Sequence, residues 1–291
     1  MELSRAQTSD HDGMDLLRCP ECRGSLVDLA CVSCGAAYSA PDGIPDLLGS
    51  GPLAARYREI GAYYDDLYSR RTDVWREQGH SEELTRYIVE LVEAFGPGRY
   101  LDLGCGEGFF LAQARSMEGF GIDLSRKVLL KARARSQATV AIAVAERLPF
   151  PDQTFDVVTS IGALEHFVDD VTAVTEIRRV LRPHGRFILL LLVDDTALGS
   201  RLAIKFREFL WPRPRPAAFG RWLLRKVRGA ADTALPWDFA PQPVQNHYRP
   251  AQARAVLLQR GFRMARVITK ARYPDVPLPG HYMRIYCVEA V

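Results

Sequence analysis

The run Tyr100-Leu101-Asp102-Leu103-Gly104-Cys105-Gly106-Glu107-Gly108 is the stretch of this 291-residue chain whose residue types most directly imply a ligand. An apolar strand enters a glycine turn. Without a Cβ, the backbone there bends tightly and comes close to whatever is bound. A helix that starts after the turn aims its free N–H groups and its positive end at the same place. This is the arrangement of nucleotide-type sites on open α/β sheets. Downstream, Gly121-Ile122-Asp123 closes a second short strand on an acid. A carboxylate at that point accepts both hydroxyl hydrogens of a ribose. Its plainer role is to cap the helix that opens at Leu124-Ser125.

A second constellation lies near the start. Cys19-Pro20-Glu21-Cys22 and Cys31-Val32-Ser33-Cys34 form two C-x-x-C hooks. Each hook brings two thiolates to one ion, and four sulfurs complete a tetrahedron at ~2.3 Å per bond. The alternative is two disulfides or free thiols. With no apolar leader in the polar segment Met1–Asp15, the spacing favours structural zinc. So short a unit buries too little surface to fold unaided, so a metal would supply much of its folding energy.

The elements that must position these residues follow from periodicity. Residues 1–15 are expected to be poorly ordered, and residues 16–50 form the cysteine unit, with a strand over Gly24–Leu29. Gly49-Ser50-Gly51-Pro52 reads as a linker. Residues 51–98 lead into the core. They begin with an aromatic segment, Leu53–Gln78 (Tyr57, Tyr63, Tyr64, Tyr68, Trp75), either capping the site or packing as a helix on the sheet. Ser81–Phe95 is an amphipathic helix with Ser81 as N-cap and Leu84, Ile88, Leu91 and Val92 at helical spacing. In residues 99–193, strands are predicted at Tyr100–Leu103, Gly119–Ile122, Thr139–Val144, Phe155–Ser160 and Arg186–Val193. The helices between them fall within Phe109–Ser116, Leu124–Ser136 and Val171–Leu181. The charges of Leu124–Ser136 are read as a solvated face. Residues 247–291 supply a helix at Pro250–Arg260 and strands at Phe262–Thr269 and Met283–Glu289. Cys287, in the last strand, reads as an inert buried thiol.

Read together, the glycine turn, Asp123, Ala145-Glu146-Arg147-Leu148-Pro149-Phe150, Phe155-Asp156-Val157-Val158-Thr159-Ser160 and Arg179-Val180-Leu181-Arg182-Pro183-His184-Gly185 resemble the class I S-adenosylmethionine (AdoMet)-dependent methyltransferases over roughly Leu84–Phe262. The cysteine unit is similar to zinc-ribbon proteins that activate methyltransferases. It also resembles the ribbon of rRNA guanine methyltransferases, although those usually use a histidine as fourth ligand. The resemblance implies a Rossmann-like α/β fold: a seven-stranded sheet with helices on both faces, plus a small N-terminal zinc ribbon. It implies AdoMet as cofactor, S-adenosylhomocysteine as product, and a cofactor site built from Asp102, Gly104, Cys105, Gly106, Gly108, Asp123, Leu124, Ala145, Glu146 and Ser160. Val144 stands where the family often carries an acid toward the adenine. Adenine binding then falls to the backbone of Ala145 or Glu146 and to apolar walls such as Leu124 and Leu148.

Methyl transfer from a sulfonium needs the acceptor held in line, and a general base only when the acceptor carries a high-pKa proton. Candidates for that role are His166, Glu165, His247 and Tyr248. For His166 the alternative is to orient the following helix by hydrogen bonds. Residues 194–246 fit no core element. They interleave basic and aromatic residues (Arg213, Arg215, Trp211, Trp222) and read as a lid over the acceptor. A contact of residues 200–228 with a membrane surface or with RNA is the other reading. The expected acceptor is a small or lipid-like molecule. The alternatives are an rRNA or tRNA base, or a zinc-ribbon interaction protein with a non-catalytic core. At 47% hydrophobic and net charge +3, the chain neither demands nor excludes a nucleic-acid partner. Its apolar runs fall short of the ~20 residues of a membrane span, so a cytoplasmic location is expected.

Overall fold

The structure is a computed structural model that describes residues 13–69, 81–193, 243–278 and 283–291. Most of the expected lid, residues 194–242, lies outside the described residues, as do Trp75 and most of the N-terminal segment. Among the described residues no helix is long and apolar enough to cross a membrane.

The cysteine unit holds a two-stranded hairpin, β1 (Leu26–Val27) and β2 (Ala30–Cys31). A single strand over Gly24–Leu29 was expected. Asp28 and Leu29 instead take positive φ, 49° and 61°, the two-residue turn that matches the twist of a hairpin. Helix α1 (Gly51–Ser69) starts inside the expected linker. Helix α2 (Glu82–Glu93) is capped as expected, with the Ser81 hydroxyl accepting from the Leu84 N–H at 3.2 Å.

The core alternates strand and helix: β3 (Gly98–Leu103), α3 (Phe109–Gln113), β4 (Met117–Asp123), α4 (Arg126–Arg135), β5 (Thr139–Ile142), β6 (Phe155–Ile161), α5 (Asp170–Val180), β7 (Leu181–Leu192), α6 (Pro250–Gln259), β8 (Phe262–Thr269) and β9 (Met283–Ala290). The seven strands lie in the order β5-β4-β3-β6-β7-β9-β8. Only β9 runs antiparallel to its neighbours. The order reverses beside β3, so the crevice between β3 and β6 is where such a sheet takes a ligand. Strand β7 begins at Leu181, earlier than expected. His184, at φ 65°, lies within a register break, and Phe155 pairs with Leu181 before Val157 pairs with Arg186.

Side chains alternate across the sheet. Leu101, Leu103, Phe120, Val158 and Phe187 pack on one face with Phe150, Phe155 and α5. Tyr100, Val157, Ile188 and Leu190 pack on the other with α1 and α2. Phe120, Phe150 and Phe155 meet edge to face at centroid distances of 4.9–5.9 Å.

The cysteine unit is not held off by a linker. The Leu47 N–H donates to the Ile142 carbonyl and the Ile142 N–H to the Pro45 carbonyl, both at 2.8 Å, so this stretch pairs in parallel with edge strand β5. The Arg18 N–H donates to the Pro149 carbonyl at 2.9 Å, and Leu17, Ile44, Leu47 and Leu48 are buried in the core. Pairing covers an edge that would otherwise template aggregation. The basic face of α4 is solvated, as expected, and is also paired. Lys131 and Arg135 grip the buried Glu107 at 2.6 and 3.4 Å, and Arg126 pairs with Asp42. Cys287 is half-buried rather than fully so.

Glu176 ties the unit, the Leu148 turn and α5 together. It accepts from Arg23, from Arg179 and from the Leu148 N–H at 2.7–3.0 Å. Both Glu176 and Arg179 are largely buried, and removing one partner strands the other charge. Arg179→Met is expected to cost about 3 kcal/mol or more in urea unfolding. A loss below about 1 kcal/mol would show that water already compensates Glu176.

Candidate functional site

Strand β3 ends at Leu103, and the next two N–H groups, of Gly104 and Cys105, both donate to the Ile122 carbonyl at 2.9 and 3.0 Å. This folds the glycine turn back over the end of β4. Gly104, Gly106 and Gly108 have φ of 68°, 50° and 72°, which disfavours any side chain. A Cβ on Gly104 would lie 2.6 Å from Ala163, and one on Gly108 would lie 2.8 Å from Ala132. Helix α3 has only five residues, so its dipole is weak. The turn's N–H groups are largely engaged within the fold as well, those of Gly104 and Cys105 by the Ile122 carbonyl, that of Gly106 by Asp123 and that of Gly108 by the Cys105 carbonyl.

Asp123 is the electrostatic centre. Its Oδ2 accepts from the Gly106 N–H at 3.0 Å and its Oδ1 from the Ser125 N–H at 2.9 Å. The N-cap of α4 is Ser125, whose hydroxyl accepts from the Val128 N–H. Asp123 therefore does not cap that helix. Burial raises its carboxyl to about 6, while the Ser125 and Gly106 N–H groups pull the other way. Asp65 on α1 accepts from the Ser125 hydroxyl at 2.6 Å and from the Lys127 N–H at 3.0 Å, bolting α1 across the start of α4.

A cavity opens between these elements. Gly104, Asp123 and Leu124 form one side, Ala143, Val144, Ala145 and Glu146 the next, and Gly162, Ala163, His166, Phe167 and Val168 the third. Tyr57, Ile60, Tyr64 and Tyr68 of α1 roof it. Their spacing of three or four residues puts them on a single helical face. Of the two readings of the aromatic segment, α1 fits both, because it packs on the sheet and covers the cavity. Glu146 lies in the wall, but its Oε1 is engaged by the Asp169 N–H at 3.0 Å. Asp102 is buried and accepts from the Thr159 hydroxyl at 2.6 Å through Oδ1. Its Oδ2 has no hydrogen-bond partner among the described residues, and neither does the buried Ser160 hydroxyl. The Cys105 thiol is buried beside them.

The acid–base candidates separate. His166 lines the cavity. Its Nδ1 lies 3.0 Å from the Val244 carbonyl, so Nδ1 carries the proton and Nε2 is left as an acceptor. Burial lowers its pKa. Glu165 is buried, with Oε2 unpartnered among the described residues and its carboxyl pushed up to about 7 by burial. The returning chain is stitched to this loop: the Asn246 N–H donates to the Glu165 carbonyl and its side chain to the Phe167 carbonyl. His247 is exposed. Tyr248 is buried and spends its hydroxyl on Asp170. Neither lines the cavity among the described residues.

The four cysteine sulfurs lie within 4.8 Å of one another, with Cys19–Cys34 at 3.7 Å and Cys22–Cys31 at 3.4 Å. A tetrahedron with ~2.3 Å bonds has edges of about 3.8 Å, so the set fits one ion. The Tyr38 hydroxyl sits 3.0 Å from Cys19, a partner of the kind that steadies a ligand sulfur.

Comparison with known proteins agrees with this geometry. Residues 101–189 match a methyltransferase domain. Over 186 residues the chain is 31% identical to the O-methyltransferase rstn1 of Aspergillus nomiae, covering 55% of this chain and 83% of that protein. Over 176 residues it is 32% identical to the 27-O-demethylrifamycin SV methyltransferase of Amycolatopsis mediterranei, covering 52% of this chain and 65% of that one. Among solved structures, the magnesium protoporphyrin IX methyltransferase of Synechocystis with bound SAH superposes with a TM-score of 0.52 at 16% identity, over 82% of this chain and all 100% of that one. That last likeness is one of fold.

Because its raised pKa lets the native state hold a proton that the unfolded state has lost, Glu165 destabilises the fold as pH rises from about 4.5 toward 7. Glu165→Gln should remove that part of the slope. Denaturant titrations of both proteins at pH 5 and pH 8 should then converge at the lower pH and favour the variant at the higher.

Proposed function

Because the chain belongs to the class I AdoMet-dependent methyltransferases, we propose that it transfers a methyl group to a hydroxyl of a small, largely apolar acceptor. The observation that carries this is His166: a half-buried imidazole on the cavity wall, its tautomer fixed by the Val244 carbonyl and its free nitrogen an acceptor. Several curated relatives are named O-methyltransferases, which supports oxygen as the methylated atom.

In this reading Asp123, already oriented by two backbone N–H groups, accepts the ribose hydroxyl hydrogens. Gly104 lets the backbone come close, and Leu124, Val144 and Ala145 provide flat apolar walls for the adenine. Bound there, AdoMet supplies an activated methyl group. Tyr64 and Tyr68 exclude water from above. His166 takes the acceptor's proton at Nε2, and its lowered pKa keeps that nitrogen free at neutral pH. The four cysteines hold one structural zinc, which fixes the hairpin unit against β5. Glu165 supports the His166 loop from behind, and His247 and Tyr248 take no direct part.

His166→Asn should lower kcat by roughly 10²–10⁴-fold on a hydroxylated acceptor while leaving AdoMet affinity within about twofold. Unchanged kcat would remove the base from the mechanism. Asp123→Ala should raise the AdoMet Kd about tenfold or more. In the wild type, affinity should weaken as pH falls through about 6, where Asp123 gains a proton and loses an acceptor site. Calorimetry across pH 5–8 reads both effects. Elemental analysis should find about one zinc per chain; a zinc-free protein with paired cysteines would overturn that assignment.

A further inference from the structure

Tyr100 and Asp102 sit two residues apart on β3 and so share a face of the sheet. Register places Thr159 of β6 opposite Asp102 on that same face. The three side chains form a chain: the Tyr100 hydroxyl lies 2.8 Å from the Thr159 hydroxyl, which lies 2.6 Å from Asp102 Oδ1. All three residues are at most 1% exposed. A threonine hydroxyl has one proton to give. With that proton on the Asp102 carboxylate, Thr159 must accept from Tyr100, so the chain has a direction and ends at the carboxylate. Phenylalanine and valine would fill the same two volumes with no polar group to satisfy.

The far oxygen of Asp102 has no hydrogen-bond partner among the described residues. A buried carboxylate oxygen left unused is costly unless a donor or a cation arrives. Asp102 pairs with Gly121 on β4, two residues before Asp123, so the two carboxylates look out on one side of the sheet. With adenosine anchored at Asp123 on β4, the other end of AdoMet extends toward β3 and β6. That end carries an α-ammonium group. We propose that Tyr100 and Thr159 are positioning residues for the amino-acid end of AdoMet: through this two-step chain they orient the Asp102 carboxyl, with its second oxygen presented to the ammonium. The proposal rests on the methyl-transfer reading above.

The test compares AdoMet with 5′-methylthioadenosine, which keeps the adenosine and the sulfur but lacks the amino-acid end. Calorimetry on the full chain should show Thr159→Val weakening AdoMet about tenfold or more, with methylthioadenosine within about twofold. Tyr100→Phe, which conserves volume, should show the same split at smaller size. Thr159→Ser, which restores the hydroxyl, should restore AdoMet binding. Unchanged AdoMet affinity in Thr159→Val and Tyr100→Phe, or a parallel loss for both ligands, would overturn the proposal, since a merely structural chain does not tell the two ligands apart. A wild-type chain that binds neither ligand would instead overturn the reading of the site itself, and this proposal with it.

Discussion

The Asp123 carboxylate is the constraint on which the site depends. It ends β4, yet its two oxygens are held by N–H groups from two other elements, Gly106 in the glycine turn and Ser125 at the start of α4. One side chain thereby closes the triangle of β3, β4 and α4 around the sheet's switch point. Burial works against its charge, and only oriented N–H donors offset that penalty. Charge-assisted hydrogen bonds of this kind are strong and directional. The group is therefore both a structural tie and a preorganised acceptor, so a ligand meeting it need not reorganise the loop.

Around that tie the rest of the molecule acts as a roof and a brace. Helix α1 is fastened at Asp65 to the same helix start, and Gly61 lets it lie so close that a Cβ would come within 2.6 Å of the Leu124 carbonyl. On the other flank, the hairpin unit pairs with β5 at Ile142, one residue before the cavity wall begins at Ala143. The Glu21–Arg147 and Arg23–Glu176 ion pairs bracket that wall from beyond. The Glu21–Arg147 pair lies at the surface and is individually weak, while in the other pair only Arg23 is exposed. The buried Leu17, Ile44, Leu47 and Leu48 contribute far more to holding the unit in place.

Much of this was legible in the chain itself. The strands of the parallel core, the Ser81 cap, the glycine turn and the two C-x-x-C hooks all carry local signals, because period, turn chemistry and ligand spacing are short-range properties. The aromatic segment was legible as a cap on the site or a helix on the sheet, but not which of its tyrosines, Tyr57, Tyr64 and Tyr68, face the cavity. The linker expected at Gly49–Pro52 was overridden in part, since Pro52 sits well in the first turn of a helix once its neighbours pack.

The sequence alone determined the fold class, the family and the residue types at the cofactor turn, because the succession of strands and helices and the backbone freedom of the turn follow from pattern and glycine placement. Tertiary structure decided which polar groups are paired. It showed that Asp123 ties two elements together instead of capping α4, that Tyr248 spends its hydroxyl on Asp170, and that His166 leaves one nitrogen free while Glu165 is buried. It also joined Tyr100, Thr159 and Asp102 into a chain. These outcomes depend on register between strands separated by more than fifty residues and on which groups lose water on burial. Neither quantity is written in any local stretch of the chain.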